Sequence, residues 1–362
     1  MKKIVCTVTN DLVNDQRMHR ICDSLLKRFD TVILVGRVLP FSQELSPHNF
    51  DQIRIPCRFN KGPIFYLEYN FRLLAQLIKL KPNYINTIDL DTGLAAYLYR
   101  TLVRVPWSFD SHEHFTEVPE LVNRKFVKRI WGWMERIIFN NADCFYTVSH
   151  SLSEIFQKKY KKKVEVIRNV PFLRSNNVVK PKSENSESGF LIYQGALNEG
   201  RCIDLYIKAM HHIDAHLVLV GEGDLSAELR NLVDQEKLSE KVQFKGKLRP
   251  EELRQLTQKA SMGLNVLANN GLSYYYSLSN KCFDYIQAGI PQISSDFPEY
   301  QKINEEHDVM LLVEPTIDAI VEAITELQNN LSLHKRLKEN CKKAANTLTW
   351  ENEESKLLAQ YE

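Results

Sequence analysis

The chain has 362 residues, more than one hydrophobic core usually serves, so two domains are expected. No run of about 18 apolar residues occurs, which excludes a transmembrane helix, and seven scattered cysteines without a C-x-x-C pair argue against zinc and for free thiols in a reducing cytosol. The net charge of +2 hides a basic first half: residues 1–180 hold 28 Lys+Arg against 17 Asp+Glu, leaving 19 against 28 in the remainder.

The opening Met1-Lys2-Lys3-Ile4-Val5-Cys6-Thr7-Val8 is too briefly apolar for a signal peptide and reads as a first buried strand. Further strands are expected at Thr31–Val35, Gln52–Ile55, Tyr84–Ile88, Trp107–Asp110, Cys144–Val148 and Val164–Ile167. Helical patterns lie between them near 16–28, 64–80, 92–103, 124–141 and 150–160. The segment 170–188 has linker composition, with Pro171, Pro181 and several Ser and Asn. After it come strands at Phe190–Gln194, His216–Val220, Val242–Phe244, Met262–Val266, Pro291–Ser294 and Val309–Val313. Helices are expected at 201–212, 224–237, 250–259, 280–288, 316–329, 331–346 and about 350–361. This alternation predicts an α/β chain of two Rossmann-like, doubly wound parallel-sheet domains. The divisions fall at 1–172, a linker at 173–188, a second domain at 189–346 and a last helix in 347–362.

Asp15 stands where it caps the first helix, and Arg17 and Arg20 follow as cations for an anionic ligand. Asp89-Leu90-Asp91 is a lone D-x-D, better explained by capping than by a metal. Phe109-Asp110-Ser111-His112-Glu113-His114 clusters acids and histidines at a strand end. Such a His can orient a hydroxyl, take a proton or stabilise a developing cation, with Asp110 and Glu113 fixing its tautomer. The run Arg124–Phe139 mixes basic and aromatic residues. It reads as a helix whose apolar stripe packs on the sheet, its basic face left for solvent or an anionic membrane surface. The basic cluster Lys158–Lys163 reads as a solvated helix end.

In the second half, Gly195-Ala196-Leu197-Asn198-Glu199-Gly200-Arg201 follows a strand. Glycines let the backbone approach a ligand, and Arg201, opening a helix, can grip a diphosphate. Val220-Gly221-Glu222-Gly223 is by itself only a tight connection. Ala268–Ser277 is a loop of small, polar and aromatic residues, including Gly271, Leu272, Ser273 and Tyr276. Ser279-Asn280-Lys281-Cys282-Phe283-Asp284-Tyr285 through Gly289-Ile290-Pro291 reads as a helix with Ser279 at its N-cap and Gly289 at its C-cap. Its first amides attract phosphate, and Asp284 can accept hydrogen bonds from a ribose diol. The plain alternative is an ordinary amphipathic helix.

This last stretch resembles the N-K-x-F-E-Y-x-x-x-G-x-P helix of glycosyltransferases of the GT-B fold, close to family four. Here Asn280, Lys281, Phe283, Asp284, Tyr285, Gly289 and Pro291 match it, with Asp for Glu. The likeness covers nearly the whole chain. It implies a nucleotide-diphosphate sugar on the second domain, the acceptor on the first, and a final helix crossing back to the first. It further implies diphosphate contacts at Gly195, Arg201, Asn280 and Lys281, ribose at Asp284, and donor sugar near the loop of Gly271, Leu272, Ser273 and Tyr276. The base is expected near Gly221 and Glu222, catalysis at His112 and Glu113, and the acceptor near Asp15 and Arg17. Asn169 matches a hinge segment, which a simple turn explains equally well.

Two departures stand out. Ala196 replaces a basic residue of the family pattern G-R-L-x-x-x-K-G, with Lys281 as substitute, and Tyr276 replaces the first Glu of E-x7-E. The implied activity is sugar transfer to an acceptor hydroxyl, retaining. No cofactor or obligatory metal is expected, because Lys and Arg can neutralise the leaving group, and the basic first half suits a lipid-linked acceptor in cell-surface polysaccharide synthesis. The implied partners are a nucleotide sugar, a glycan or lipid-linked acceptor, and an anionic membrane at the inner face of the cell membrane, with no nucleic acid. A nucleotide-sugar epimerase of the same architecture and a non-catalytic nucleotide- or carbohydrate-binding protein stay open. The missing G-x-G-x-x-G disfavours a dehydrogenase.

Overall fold

A computed structural model describes residues 1–13, 15–40, 42–118, 121, 124–173 and 189–362. The expected linker therefore lies, apart from Leu173, outside the described residues. The chain divides into two units: Met1–Asn169 with Glu351–Glu362, and Val170–Trp350.

The first unit is built on a seven-stranded parallel sheet in the order β3-β2-β1-β4-β5-β6-β7. Its strands are β1 (Lys3–Thr7), β2 (Thr31–Arg37), β3 (Asp51–Ile55), β4 (Tyr84–Ile88), β5 (Trp107–Ser111), β6 (Cys144–Thr147) and β7 (Glu165–Val166). Parallel strands need helical crossovers, supplied by α1 (Gln16–Leu25), α2 (Gly62–Leu80), α3 (Gly93–Val103), α4 (Lys125–Asn141) and α5 (His150–Tyr160). The order reverses beside β1, so right-handed crossovers place helices on both faces. Central strands are buried on both sides; Ile4, Val5 and Cys6 of β1 are inaccessible to solvent. Residues 351–362 pack into this unit, where the Tyr361 hydroxyl meets Ser108 Oγ at 3.0 Å and Tyr146 Oη at 3.1 Å.

The second unit holds a six-stranded parallel sheet in the order β10-β9-β8-β11-β12-β13. The strands are β8 (Leu191–Gln194), β9 (Leu217–Val220), β10 (Val242–Gly246), β11 (Met262–Asn265), β12 (Gln292–Ser295) and β13 (Met310–Val313). Its helices are α6 (Ile203–Ala209), α7 (Ser226–Gln235), α8 (Pro250–Thr257), α9 (Leu272–Tyr275), α10 (Asn280–Ala288), α11 (Pro298–His307), α12 (Ile317–Asn329) and α13 (Leu331–Ala344). A further helix, α14 (Trp350–Ala359), begins where the chain re-enters the first unit. No described helix is long and apolar enough to cross a membrane.

Three local expectations are corrected. Arg201 does not open a helix: Cys202 is left-handed (φ 52°), and α6 starts only at Ile203. The loop 268–277 contains the one-turn helix α9. An unforeseen helix, α11, follows β12, with Pro298 in its first turn, where a missing N–H costs nothing.

Candidate functional site

In the second unit, the carboxyl ends of β8 and β9 run into Gly195 and Gly221, the edge at which such sheets bind ligands. Both glycines have positive φ (133° and 137°), and a Cβ on Gly221 would lie 1.8 Å from the Gly195 carbonyl oxygen. No other residue fits that approach. The bare face of Gly195 leaves room for Lys281, whose Nζ would lie 4.0 Å from a Cβ there. Lys281 projects from the first turn of α10, is only 8% exposed, and sets its ammonium 5.1 Å from the centre of the Tyr193 ring. Burial first, then the Arg201 charge, pushes that ammonium down to about 7, against the pull of Asp284.

Arg201 lies with its guanidinium 5.1 Å above the Tyr274 ring of α9. Gly200, in a left-handed turn (φ 76°), admits that ring, since a Cβ would stand 2.5 Å from Tyr274 Cε2. The loop 268–276 is therefore docked on the Gly195–Arg201 segment, with Ala268 N–H donating to the Gly200 carbonyl at 3.0 Å. Asp284 sits one turn after Lys281 on α10 and accepts from Gln194 Nε2 at 3.1 Å. Gln194 is in turn fixed by Thr257, whose hydroxyl donates to its Oε1 at 2.8 Å. Gly195, Arg201, Lys281 and Asp284 thus converge: two cations and one buttressed acid around a bare backbone turn.

Several other expected positions take different places. Asn280 is exposed at the start of α10, and Gly289 closes that helix in the left-handed conformation (φ 70°). Ser279 occupies the N-cap without capping; its hydroxyl donates to Asn265 Oδ1 at 2.7 Å. Gly271 turns into α9, Leu272 is exposed, and Ser273 is buried. The Tyr276 ring packs edge-on against Tyr275 at 5.0 Å. Glu222 is engaged by Arg230 (Nη2 to Oε1, 2.7 Å).

In the first unit, His112 follows β5. Its Nε2 lies 2.9 Å from Asp110 Oδ2, and its backbone N–H donates to Asp89 Oδ1 at 2.8 Å. The acids that meet it are therefore Asp110 and Asp89, not Asp110 and Glu113; Glu113 is exposed one residue on. Asp89 adopts φ 54°, ψ 177°, a region that is costly for any residue with a Cβ. Neither Asp of the D-x-D acts as a cap here: Asp89 makes no side-chain cap bond, and Asp91 is engaged by the Thr9 hydroxyl.

Arg17 corrects a second expectation. It is buried, not turned to an acceptor: Nη2 and Nε reach Asp110 at 3.1 and 3.2 Å, and Nη1 donates to the Ile167 carbonyl at 2.9 Å. Its guanidinium is 3% exposed and turned to these partners, not to solvent. Asp15 caps α1 by accepting from Met18 N–H at 3.0 Å. Arg20 bonds Asn169, and Arg168 bonds Glu353 of the returning C-terminal segment.

The electrostatics favour a charged His112. Burial depresses the imidazolium, but Asp110 and then Asp89 outweigh it and lift the ring to about 9. Burial also pushes the Asp89 carboxyl up to about 8, against the pull of His112, so Asp89 bears its full charge only on the alkaline side, where the ring loses its proton. Asp110 in turn is held below the ordinary carboxylate range: Arg17 and His112 overcome the opposing effect of its burial. Arg17 Nε lies 3.0 Å from His112 Nε2 and 3.2 Å from Asp110 Oδ2; with the ring charged, both N–H groups turn to the Asp110 carboxylate. Nδ1 lies 3.9 Å from Asp89 Oδ2, beyond hydrogen-bond reach, leaving its proton to be donated elsewhere. The cluster therefore suits donation to an oxygen; a ring already charged neither takes a proton nor stabilises a cation. Asp89→Asn keeps the acceptor for His112 N–H but removes a charge that raises the ring. The alkaline limb of the pH–rate profile should then move down from about 9, and an unmoved limb would assign it to another group.

Sequence reasoning missed Gln194, Thr257 and Tyr193 as site residues; Tyr274 stood only within the aromatic loop 268–277, and Asp89 only as half of the D-x-D. Of the three, Gln194 carried a signal, as the residue before the Gly195 turn.

Family models match almost the whole chain in two adjoining parts: Glycosyltransferase Family 4 over residues 16–170 and Glycosyl transferases group 1 over residues 175–344. Among solved structures, the fold is similar to that of sucrose-phosphate synthase from Thermosynechococcus elongatus (TM-score 0.81, 18% identity, 100% of this chain and 98% of that one). It is also similar to Anabaena Alr3699/HepE, solved with UDP and glucose (TM-score 0.79, 13% identity, 99% of both chains). A proposed UDP-N-acetylglucosamine 2-epimerase from Listeria monocytogenes shares the fold more loosely (TM-score 0.64, 15% identity, 99% of this chain and 95% of that one). Fold alone thus does not separate the two activities, whereas both family models are of glycosyltransferases. No curated protein matches the chain.

Proposed function

The chain is a glycosyltransferase of the GT-B, family-four-like type, and from that premise we propose that it moves a sugar from a nucleotide-diphosphate donor to an acceptor hydroxyl with retention of configuration. The observation that carries the reading is the convergence of Lys281, Arg201 and Asp284 around Gly195. Lys281 and Arg201 neutralise the leaving diphosphate, aided by the first amides of α10 and without an obligatory metal or cofactor. Asp284, held by Gln194, accepts from the ribose diol. Gly271 to Ser273 border the sugar, and the Gly221 turn borders the base.

His112 donates from Nδ1 to an oxygen of a bound sugar, with Glu113 beside it. No residue is assigned as covalent nucleophile. The acceptor is a glycan or a lipid-linked sugar of a cell-surface polysaccharide, in keeping with the +11 charge of residues 1–180 (28 Lys+Arg less 17 Asp+Glu). Alr3699/HepE was solved with UDP-glucose, so UDP heads the donor candidates.

The test is a thermal-shift screen against UDP, GDP, ADP, CMP and their sugars, run with and without EDTA. One nucleotide family should raise the melting temperature in both conditions, and Asp284→Ala should abolish the rise. A shift retained in Asp284→Ala, or none with any nucleotide, would overturn the donor site.

A further inference from the structure

Two helices of the first unit turn apolar side chains outward. On α2, Ile64, Leu67, Phe71 and Ile78 fall on one stripe and are 58, 52, 62 and 49% exposed. On α4, Phe126, Ile130 and Trp133 recur at i, i+4 and i+7 and are 73, 47 and 56% exposed. The stripe of α4 that packs inward is a different one, Met134, Ile138 and Phe139, all buried. The helix therefore has two apolar stripes, where the sequence pattern suggested one stripe and a basic face. The helices adjoin at their N-terminal ends, where the rings of Tyr66 and Trp131 meet edge-on at 5.0 Å. Both ends lie toward the carboxyl edge of the sheet, the edge that carries His112, because each crossover helix runs antiparallel to its strands.

The exposed charges on both helices are positive, and the one acid of α2, Glu68, is held by Arg72 at 2.8 Å and by the Arg58 and Phe59 N–H groups. Every exposed charge on α4 is positive (Lys125, Arg129, Arg136), while its one acid, Glu135, is buried and bonded by Lys159 and Tyr160. Arg124 precedes the helix, and Lys61 precedes α2. Long cationic side chains beside exposed aromatics suit a surface that is apolar just below and anionic on top. A second copy fits poorly, because a two-fold contact would set Lys125, Arg129 and Arg136 against their own equivalents.

We propose that this face of α2 and α4 lies on an anionic lipid bilayer. Phe126, Ile130 and Trp133 enter the headgroup boundary while Lys125, Arg129 and Arg136 meet lipid phosphates. The inference rests on this surface and not on the donor chemistry.

The test is co-sedimentation of the full chain with phosphatidylcholine vesicles, with and without phosphatidylglycerol. Binding should need phosphatidylglycerol and weaken with salt. The pairs Phe126→Ser/Trp133→Ser and Arg129→Glu/Arg136→Glu should each lower partitioning at least about tenfold. Melting temperature and nucleotide-induced thermal shift should stay at wild-type values, so loss of vesicle binding is separable from failure of the donor site. Supernatant-bound wild-type protein on anionic vesicles at low salt would overturn the proposal. So would variants that pellet like wild type, or a dimer that the variants dissociate without any vesicle binding.

Discussion

Lys281→Met is expected to lower kcat by about 10²–10³-fold, the loss typical of removing one preorganised group from a developing charge. The fold should survive, because Met keeps the buried stem and removes a charge that burial disfavours. The stronger signature is in protons. In the empty site, burial and Arg201 hold the ammonium near 7, so at pH 8 most of the chains carry a neutral Lys281. A bound diphosphate raises that value, since the charged form gains a partner. Binding above pH 7 must then take up a proton, and affinity falls by up to about tenfold per pH unit as pH climbs from 7 toward the bound value. Below 7 the proton is already present and affinity levels off. Calorimetry of nucleotide-sugar binding in buffers of different ionisation enthalpy measures the uptake directly. It should vanish in Lys281→Met; the same uptake in the variant would place the proton on another group.

What the sequence disclosed was what is local. The Ser279–Pro291 helix was readable end to end, because a nine-residue amphipathic run stops only where Gly289 supplies a left-handed turn. Parallel α/β architecture followed from short β-rich runs separated by helix-length segments. The supports of the site were not readable. Gln194 reaches Asp284, and Thr257 reaches Gln194, across separations that no spacing rule spans. Arg17 looked like a cation waiting for an acceptor because nothing in Asp15-Gln16-Arg17 records that Asp110, far along the chain, closes over it. Asp89 was seen as half of a D-x-D, while its role depends on a backbone angle seldom taken by an aspartate. On α4 the periodicity contained both apolar stripes, and only the packed sheet shows which one it covers. The helix α11 had its signal in Pro298-Glu299, a first-turn pair that was passed over.

Arg17→Met should destabilise the protein by about 3–5 kcal/mol, as breaking a buried pair from one side does. The Arg17 and Asp110 side chains are 3% and 0% exposed and share two contacts, at 3.1 and 3.2 Å. Removing the guanidinium leaves Asp110 in a dry site with His112 as its charged partner and leaves the Ile167 carbonyl without its donor. The carboxylate then either stays ionised at high cost or takes a proton, and a protonated Asp110 no longer sustains the His112 imidazolium. Stability and catalysis should therefore fall together, with the alkaline limb of activity moving down from about 9. Adding Asp110→Asn to Arg17→Met relieves the stranded charge, so the double variant should recover part of the lost stability. The limb should still stay low, because Asn offers His112 no charge. Urea unfolding and pH–rate profiles of the three variants separate these effects. A loss under about 1 kcal/mol in Arg17→Met, or an equal loss in the double variant, would mean that the pairing of Arg17 with Asp110 is not what the fold requires.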